Sequence, residues 1–540
     1  MNRELLVTSA LPYANGPLHL GHMVEYIQTD IFVRFQRSVG QVCHYVCADD
    51  AHGTPIMLSA QKKGVSPEDY IQEIYHNHCA DFERYQIQFD YYGQTHCDAN
   101  QARSEAFFKL ATEANKIYKK TIVQMYCKDC SLFLPDRLVR GTCPHCGTSD
   151  QYGDVCEQCG VTYKPNDLIE PRCAQCGVIP VMKDSEHYFF SLQSSQEFLM
   201  QWLNASAFRD DVKNKLSEWF EVGLQDWDIS REAPYFGFKI PGSDHYFYVW
   251  VDAPFGYMAM TDQLAKANPE QSGLRDIWFK DTVEIHHFIG KDILYFHGLF
   301  WPAMLSVMGA NLPTQLHVHG FLTVNGEKMS KSRGTFVLAN TFSERYEPEL
   351  LRYYYACKLA GDMRDLDFNE MDFIHRINAD VLGKFVNIGS RTGSILKKSL
   401  NNQLSTPDAS GAAVIASILD QKNTIYEYYD HLNYSKAMSV IMRLSEQVNG
   451  YIHNSEPWAL VKDNPRAAQA VCTTAIHAWR YLAIYLQPVL PGLTGKIQGI
   501  LAIDSLNWEC LAQPLPNGHI ISNYYHIIKR IDGPTTNLSG

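Results

Sequence analysis

Four Cys-x-x-Cys pairs between Cys127 and Cys176 constrain this chain more than any other stretch of it. A tight turn with two thiolates at this spacing aims both at one tetrahedral ion, and two such turns complete a four-sulfur site. The other seven of the fifteen cysteines are scattered as free thiols, unlike a secreted disulfide framework. Cys143, Cys146, Cys156 and Cys159 are separated by a short loop and are expected to pair as a first zinc site, with Cys127, Cys130, Cys173 and Cys176 closing over them as a second. Four thiolates fill each site, so the expected role of the metals is structural.

Around this stretch the chain changes character. Residues 1–115 alternate short apolar runs, such as Leu5–Ala10 and Gln41–Ala48, with helical periods such as Ile56–Lys63, a pattern that predicts a parallel sheet with crossover helices. Residues 116–235, rich in Cys, Gly and Pro, read as an insertion. The α/β pattern resumes over 236–320, with Tyr246–Val251 and Val283–Gly290 as apolar runs and Ile293–Met308 helix-like. A linker region follows at 321–377, and from 378 to 540 helical periodicity dominates, broken at Thr406-Pro407 and Gln487-Pro488. The expected fold is α/β, a Rossmann-like parallel sheet split by the insertion, followed by an α-helical bundle. In such a sheet, ligands bind where the winding reverses, which makes the strand ends at Ala10 and Gly290 walls of one site.

Two short motifs fall at those walls. Pro17-Leu18-His19-Leu20-Gly21-His22 follows the first strand through a Pro/Asn/Gly turn and opens a helix with apolar residues at Met23, Val24, Ile27, Ile31, Phe32 and Phe35. A helix N-terminus carries unpaired N–H groups and partial positive charge, so His19 and His22 are candidates to donate to phosphate oxygens, with Gly21 leaving room for a flat base. Lys328-Met329-Ser330-Lys331-Ser332 lies after the alternating run Gln315–Val324 and an Asn325-Gly326 turn, as a basic loop. Each motif alone is weak; two in one chain indicate a grip on one polyphosphate.

Taken with Ala48–Pro55, Tyr248–Pro254 and Phe288–Asp292, these motifs resemble the class I aminoacyl-tRNA synthetases, and among them the methionyl-tRNA synthetase family. The resemblance implies ATP-dependent ligation of L-methionine to tRNA(Met), initiator included, through a methionyl-adenylate. It implies catalytic roles for His19, His22, Lys328 and Lys331, and ATP contacts at these residues and at Gly21, Gly290, Asp292, Met329, Ser330 and Ser332. Ala10, Leu11, Tyr13, Asp50, Trp250, Pro254, Tyr257, Ile293, Phe296 and His297 match the family's methionine pocket, where aromatic walls suit a polarizable thioether. Asp50 is the expected partner of the substrate ammonium. Mg²⁺ is expected with ATP, since it binds through substrate phosphates. The family's zinc knuckles support the two-site reading of the cysteines.

Asn387, Arg391 and Trp458 match positions where the family reads the anticodon, by stacking and by hydrogen bonds to base edges. Net charge is −12 overall, yet residues 376–540 carry +3, which is permissive for RNA contact. The sequence contains no run of the ~18 apolar residues that a spanning helix needs, and Met1-Asn2-Arg3-Glu4 leads straight into a strand rather than a signal peptide. The expectation is a cytoplasmic enzyme, monomeric because the chain stops soon after the bundle.

Overall fold

The computed structural model describes residues 3–534 except 136–137, 154, 155, 157, 160, 162 and 330–334. At its centre lies a parallel sheet of β1 (Glu4–Ser9), β2 (Val42–Asp49), β3 (Tyr91–Gln94), β4 (Val283–Gly290) and β5 (Gln315–His319), in the order β5-β4-β1-β2-β3. β1 and β4 are buried along almost their whole length, as expected of central strands covered on both faces. The winding reverses between them, so their carboxyl ends frame a crevice.

From β1 the chain enters α1 (Leu20–Ser38), and every apolar position that its period singles out is buried. Three runs depart from the sequence expectation. Tyr246–Val251 is not a strand of the sheet: Tyr246 and Phe247 pair with Ser230 and Arg231, Tyr246 also bridges Lys239, and α2 (Val249–Ala267) begins at once. Gln315–Val324 is two strands, because at Gly320 the backbone of Arg364 passes so close that a Cβ would lie 2.2 Å from its carbonyl oxygen. Leu322–Val324 then joins a separate sheet with Glu327–Lys328 and Leu366–Phe368. Within Ile293–Met308, a π-helical turn, Phe296–Phe300, precedes the α-helix Trp301–Met308.

The insertion is built on a long antiparallel hairpin, Ile117–Cys127 against Val181–Phe190, with the cysteine turns at its far end. The C-terminal helices pack around Pro465–Leu486, buried on all sides from Val471 onward, as a central bundle helix must be. One apolar cluster runs from Leu5 and α1 into this bundle. Within it the fully buried Arg352 donates to Asp30 of α1 (2.6 Å) and to the carbonyls of Pro488 and Val489 (2.9 Å each), so its charge is paired and its donors are used. Among the described residues no helix is long and apolar enough to cross a membrane.

Candidate functional site

A cleft of about 1840 Å³ opens at the carboxyl ends of β1 and β4. That exceeds the ~300–1,000 Å³ of a usual single-ligand site, leaving room for a nucleotide beside a second substrate. Every described residue expected at the nucleotide or at the amino acid lines it: Ala10, Leu11, Tyr13, His19, Gly21, His22, Asp50, Trp250, Pro254, Tyr257, Gly290, Asp292, Ile293, Phe296, His297, Lys328 and Met329. Ser330, Lys331 and Ser332 lie outside the described residues.

The apolar end of the cleft is assembled by the irregular helices. Trp250 sits in the first turn of α2 and Phe296 in the π-turn, and their rings stack at 4.2 Å and 14°. One residue further, His297 Nδ1–H donates to the Ile293 carbonyl (3.1 Å), which leaves Nε2 to accept from the Tyr257 hydroxyl (2.8 Å). Burial lowers the His297 pKa to about 4, so at neutral pH the ring is an uncharged, locked wall. A π-turn widens the helix by one residue and re-aims side chains, a distortion that concentrates at functional sites.

Asp50 closes this end from the opposite side. Beyond β1 the chain stays extended, with Asp50 N–H bonded to the Pro12 carbonyl (2.9 Å) and Ala14 N–H to the Asp50 carbonyl (2.8 Å), so Tyr13 and Asp50 emerge side by side. The Asp50 carboxyl is buried and its Oδ1 has no hydrogen-bond partner. Burial, and then the charge of Asp252, raise its pKa well above the carboxylate range. A cation placed beside it would restore ionisation and satisfy the orphaned oxygen.

At the polar end His19 is the N-cap of α1. Its Nδ1 accepts from the N–H groups of Gly21 (3.1 Å) and His22 (3.4 Å), and His22 Nδ1 accepts from the His19 N–H (3.2 Å). This corrects the sequence argument, in which the helix's own N–H groups stayed unpaired: the two imidazoles take those of His19, Gly21 and His22, and the Val337 carbonyl takes that of Leu20. With each Nδ1 accepting, the ring proton of each sits on Nε2, and the stacked pair (3.7 Å between centroids) presents imidazole rather than backbone donors. Burial and the neighbouring His19 push the His22 pKa well below its usual value, so it donates as a neutral ring.

The segments flanking the basic loop are tied down. Glu327 and Lys328 pair with Val324 and Thr323, while Leu20 N–H bonds to the Val337 carbonyl and Ala339 N–H to the Leu18 carbonyl, both at 3.0 Å. Met329 consequently lies against Gly21, where a Cβ would be 2.6 Å from its Cε. Gly290 serves a similar purpose at the end of β4, for a Cβ there would lie 2.5 Å from Asp292 Oδ1.

Sequence reasoning missed the Glu25–His319 pair in the same cleft, at 3.4 Å between Oε2 and Nε2. Burial raises the Glu25 pKa to about 7 against the opposing pull of His319. Glu25 falls on the buried face of α1 beside apolar neighbours, and a carboxylate on such a face is the signal that would have found it.

The cysteines form the two predicted sets, each with all four sulfurs within 4.8 Å of one another. Sulfur separations are 3.4 Å for Cys127–Cys176, 3.9 Å for Cys130–Cys173, 3.9 Å for Cys143–Cys159 and 3.5 Å for Cys146–Cys156. A tetrahedron with Zn–S bonds of ~2.3 Å has edges of roughly 3.8 Å, whereas a disulfide is ~2.05 Å. The residues therefore fit zinc. Gly147 and Gly177, just past their knuckles, take the positive φ (+73° and +75°) that the turn requires.

In the bundle the Arg391 guanidinium lies 5.1 Å from the Trp458 ring centroid, and both Arg391 and Asn387 bond to Asn449. Trp458 remains 41% exposed, so one ring face stays available.

Comparisons with known proteins bear on this geometry. Residues 5–393 match the family described as tRNA synthetases class I (M), and residues 404–533 match the anticodon binding domain of methionyl tRNA ligase. Among solved structures, the chain resembles the Mycobacterium tuberculosis methionyl-tRNA synthetase in complex with methionyl-adenylate, with a TM-score of 0.80 at 23% identity over 97% of this chain and 99% of that one. The apo form of the Mycobacterium tuberculosis enzyme matches at 0.74 and 22% identity over 99% of each chain.

Proposed function

The chain belongs to the class I tRNA synthetases of the methionyl type, and on that premise we propose that the cleft performs both half-reactions of methionine–tRNA ligation. In the first, the L-methionine carboxylate attacks the α-phosphorus of ATP, the bond to the β-phosphate bridging oxygen breaks, and methionyl-adenylate and pyrophosphate form. In the second, a ribose hydroxyl of the terminal adenosine of tRNA(Met) attacks the acyl carbon, and AMP leaves. The products serve initiation and elongation of translation.

The observation that carries this reading is the meeting of the two motifs: His19 and His22 at the head of α1 share one cleft with Lys328 and Met329, directly beside the aromatic pocket. His19 and His22 donate from Nε2 to the phosphates, and Lys328 with Lys331 neutralises the departing pyrophosphate, a charge that exists only as the transition state forms. Gly21, Met329, Ser330 and Ser332 shape this nucleotide seat, Gly290 opens it, and Asp292 accepts from the ribose hydroxyls. Ala10, Leu11, Tyr13, Trp250, Pro254, Tyr257, Ile293, Phe296 and His297 enclose the thioether, and the Asp50 carboxylate takes the ammonium. Mg²⁺, held by the phosphates of ATP, supplies further charge neutralisation.

Asn387, Arg391 and Trp458 read the CAU anticodon. The same reading divides the chain into catalytic halves at 1–115 and 236–320, a knuckle insertion at 116–235 holding two structural zincs, a linker at 321–377 and an anticodon domain at 378–540, acting in the cytoplasm as a monomer. Amino-acid-dependent exchange of labelled pyrophosphate into ATP tests it: methionine is expected to be the strongest of the amino acids, and a different winner overturns the specificity.

A further inference from the structure

Outside the two sulfur sets, one further group of metal-ligating side chains comes together among the described residues. His187 on the strand Val181–Phe190, Glu232 just after Ser230–Arg231, and His245 just before Tyr246–Phe247 bring two imidazole nitrogens and a carboxylate oxygen within 4.8 Å of one another. We propose that His187, Glu232 and His245 form a third metal site, taking a divalent ion of the zinc class on two imidazoles and one carboxylate.

Three observations carry it. First, His187 Nδ1–H donates to Asp228 Oδ2 (2.7 Å), which turns Nε2 toward Glu232 Oε1, also at 2.7 Å. A ligating histidine is characteristically oriented by a carboxylate on its far nitrogen in this way. Second, His245 Nε2 is shut off from solvent and has no hydrogen-bond partner, while its Nδ1 lies 3.3 Å from the Ser243 hydroxyl. A buried polar atom left unpaired is destabilising, and a metal bond would satisfy it. Third, the backbone fixes the geometry from both sides: Ile229 N–H bonds to the Tyr188 carbonyl, Tyr188 N–H to the Ser230 hydroxyl, and Ile240 N–H to the His245 carbonyl.

The donor set argues for the ion. Two nitrogens and an oxygen, without sulfur, suit zinc and its divalent neighbours, and three protein ligands leave a coordination position open. His187, Asp228 and Glu232 line the substrate cleft, so that open position lies toward its wall. The site also joins the insertion hairpin to the segment that leads into α2 and Trp250, so a bound ion would staple the insertion to the methionine end of the cleft.

Gln124, whose amide meets His187 Nε2, and Arg231, at 3.5 Å from Asp228, complete the surroundings of the site.

The test uses the full chain, loaded with zinc at pH 8 and freed of excess, with metal counted by mass spectrometry. Wild type is expected to hold one ion per chain more than either His245→Gln or Glu232→Gln. Equal content in all three overturns the site. Cobalt loading reports folding independently, because both variants should keep the thiolate charge-transfer absorption of the sulfur sites. Should a variant lose it, zinc titration of the wild type decides: one binding event beyond those of the sulfur sites is expected, and none overturns the proposal.

Discussion

Gly21 and Met329 occupy complementary space: a β-carbon on Gly21 would stand 2.6 Å from Cε of Met329 and 2.9 Å from Cε1 of His19. The Met329 methyl ends a flexible side chain and can retreat, but the His19 ring is held by two backbone N–H groups. Gly21→Ala should therefore disturb the histidine pair as well as the loop. The expected outcome in pyrophosphate exchange is a fall in kcat of about 10- to 100-fold, the scale of a misplaced catalytic group. Methionine affinity should stay near wild type, and a selective loss of methionine affinity would contradict the assignment.

Asp50 should trade stability against function. Its carboxyl is buried with an unpartnered oxygen and a raised pKa, so at neutral pH the ligand-free fold must either take up a proton there or bear a charge it disfavours. Asp50→Asn removes that cost while keeping the shape. Thermal melting without substrate should show the variant at least as stable as wild type, while the methionine KM rises by about 100-fold, as expected for loss of a charged hydrogen bond. A clear drop in melting temperature would mean that Asp50 already has a partner in the free protein.

The Glu25–His319 pair predicts a pH dependence. Burial raises the Glu25 pKa from 4.5 to about 7, so the folded state holds its proton more tightly than the unfolded chain does. The resulting stabilisation is complete below pH 4.5 and is lost as pH rises to about 7. His319 is itself raised, since its contact with Glu25 outweighs burial, and contributes in the same direction near neutrality. Between pH 5 and 8, wild type should lose more melting temperature than Glu25→Gln, and identical pH profiles would show that the pair does not titrate in this range.

Zinc removal should unfold the knuckles before the sheet. The two sulfur sets lie at the far end of the Ile117–Cys127 hairpin, away from the central core clusters, so their loss is local. Chelation is expected to release two ions from the sulfur sets and to abolish a low-temperature melting step. Cys143→Ser should cost one of those two ions, and Cys127→Ser the other. Loss of both from one substitution would show that the sets are not separate sites.

Trp458→Ala should separate the half-reactions. Base stacking is worth about 1–3 kcal/mol, so charging of tRNA bearing CAU should weaken by roughly 5- to 150-fold in kcat/KM. Pyrophosphate exchange without tRNA should be unchanged, because Trp458 lies in the bundle and not on the cleft.

Periodic elements were legible in kind and in approximate place. The strand Glu4–Ser9 within one residue of the run Leu5–Ala10, the helix from Leu20, the split by an insertion and the pairing of the cysteines all follow from local spacing, because strand, helix and knuckle are each specified by neighbours a few residues away. The run Tyr246–Val251 was not, since its aromatic and β-branched residues favour a strand whereas packing against the sheet begins a helix at Val249. Likewise the break at Gly320 depends on the approach of Arg364, which sequence spacing does not encode.

By itself the sequence determined the kind of protein: the two motifs, the eight knuckle cysteines and the apolar runs name the chemistry and the class of fold. Only the tertiary structure decided how those groups work. The imidazoles of His19 and His22 cap the helix and present Nε2, Met329 rests on Gly21, and Glu25 meets His319 from the far end of the chain's catalytic half. The reason is range. Covalent spacing fixes what a residue is and which local element it joins, whereas tautomer and ionisation depend on the hydrogen bonds and burial of the folded backbone, and contacts such as Gly21–Met329 and Glu25–His319 on partners that the fold brings from hundreds of positions away.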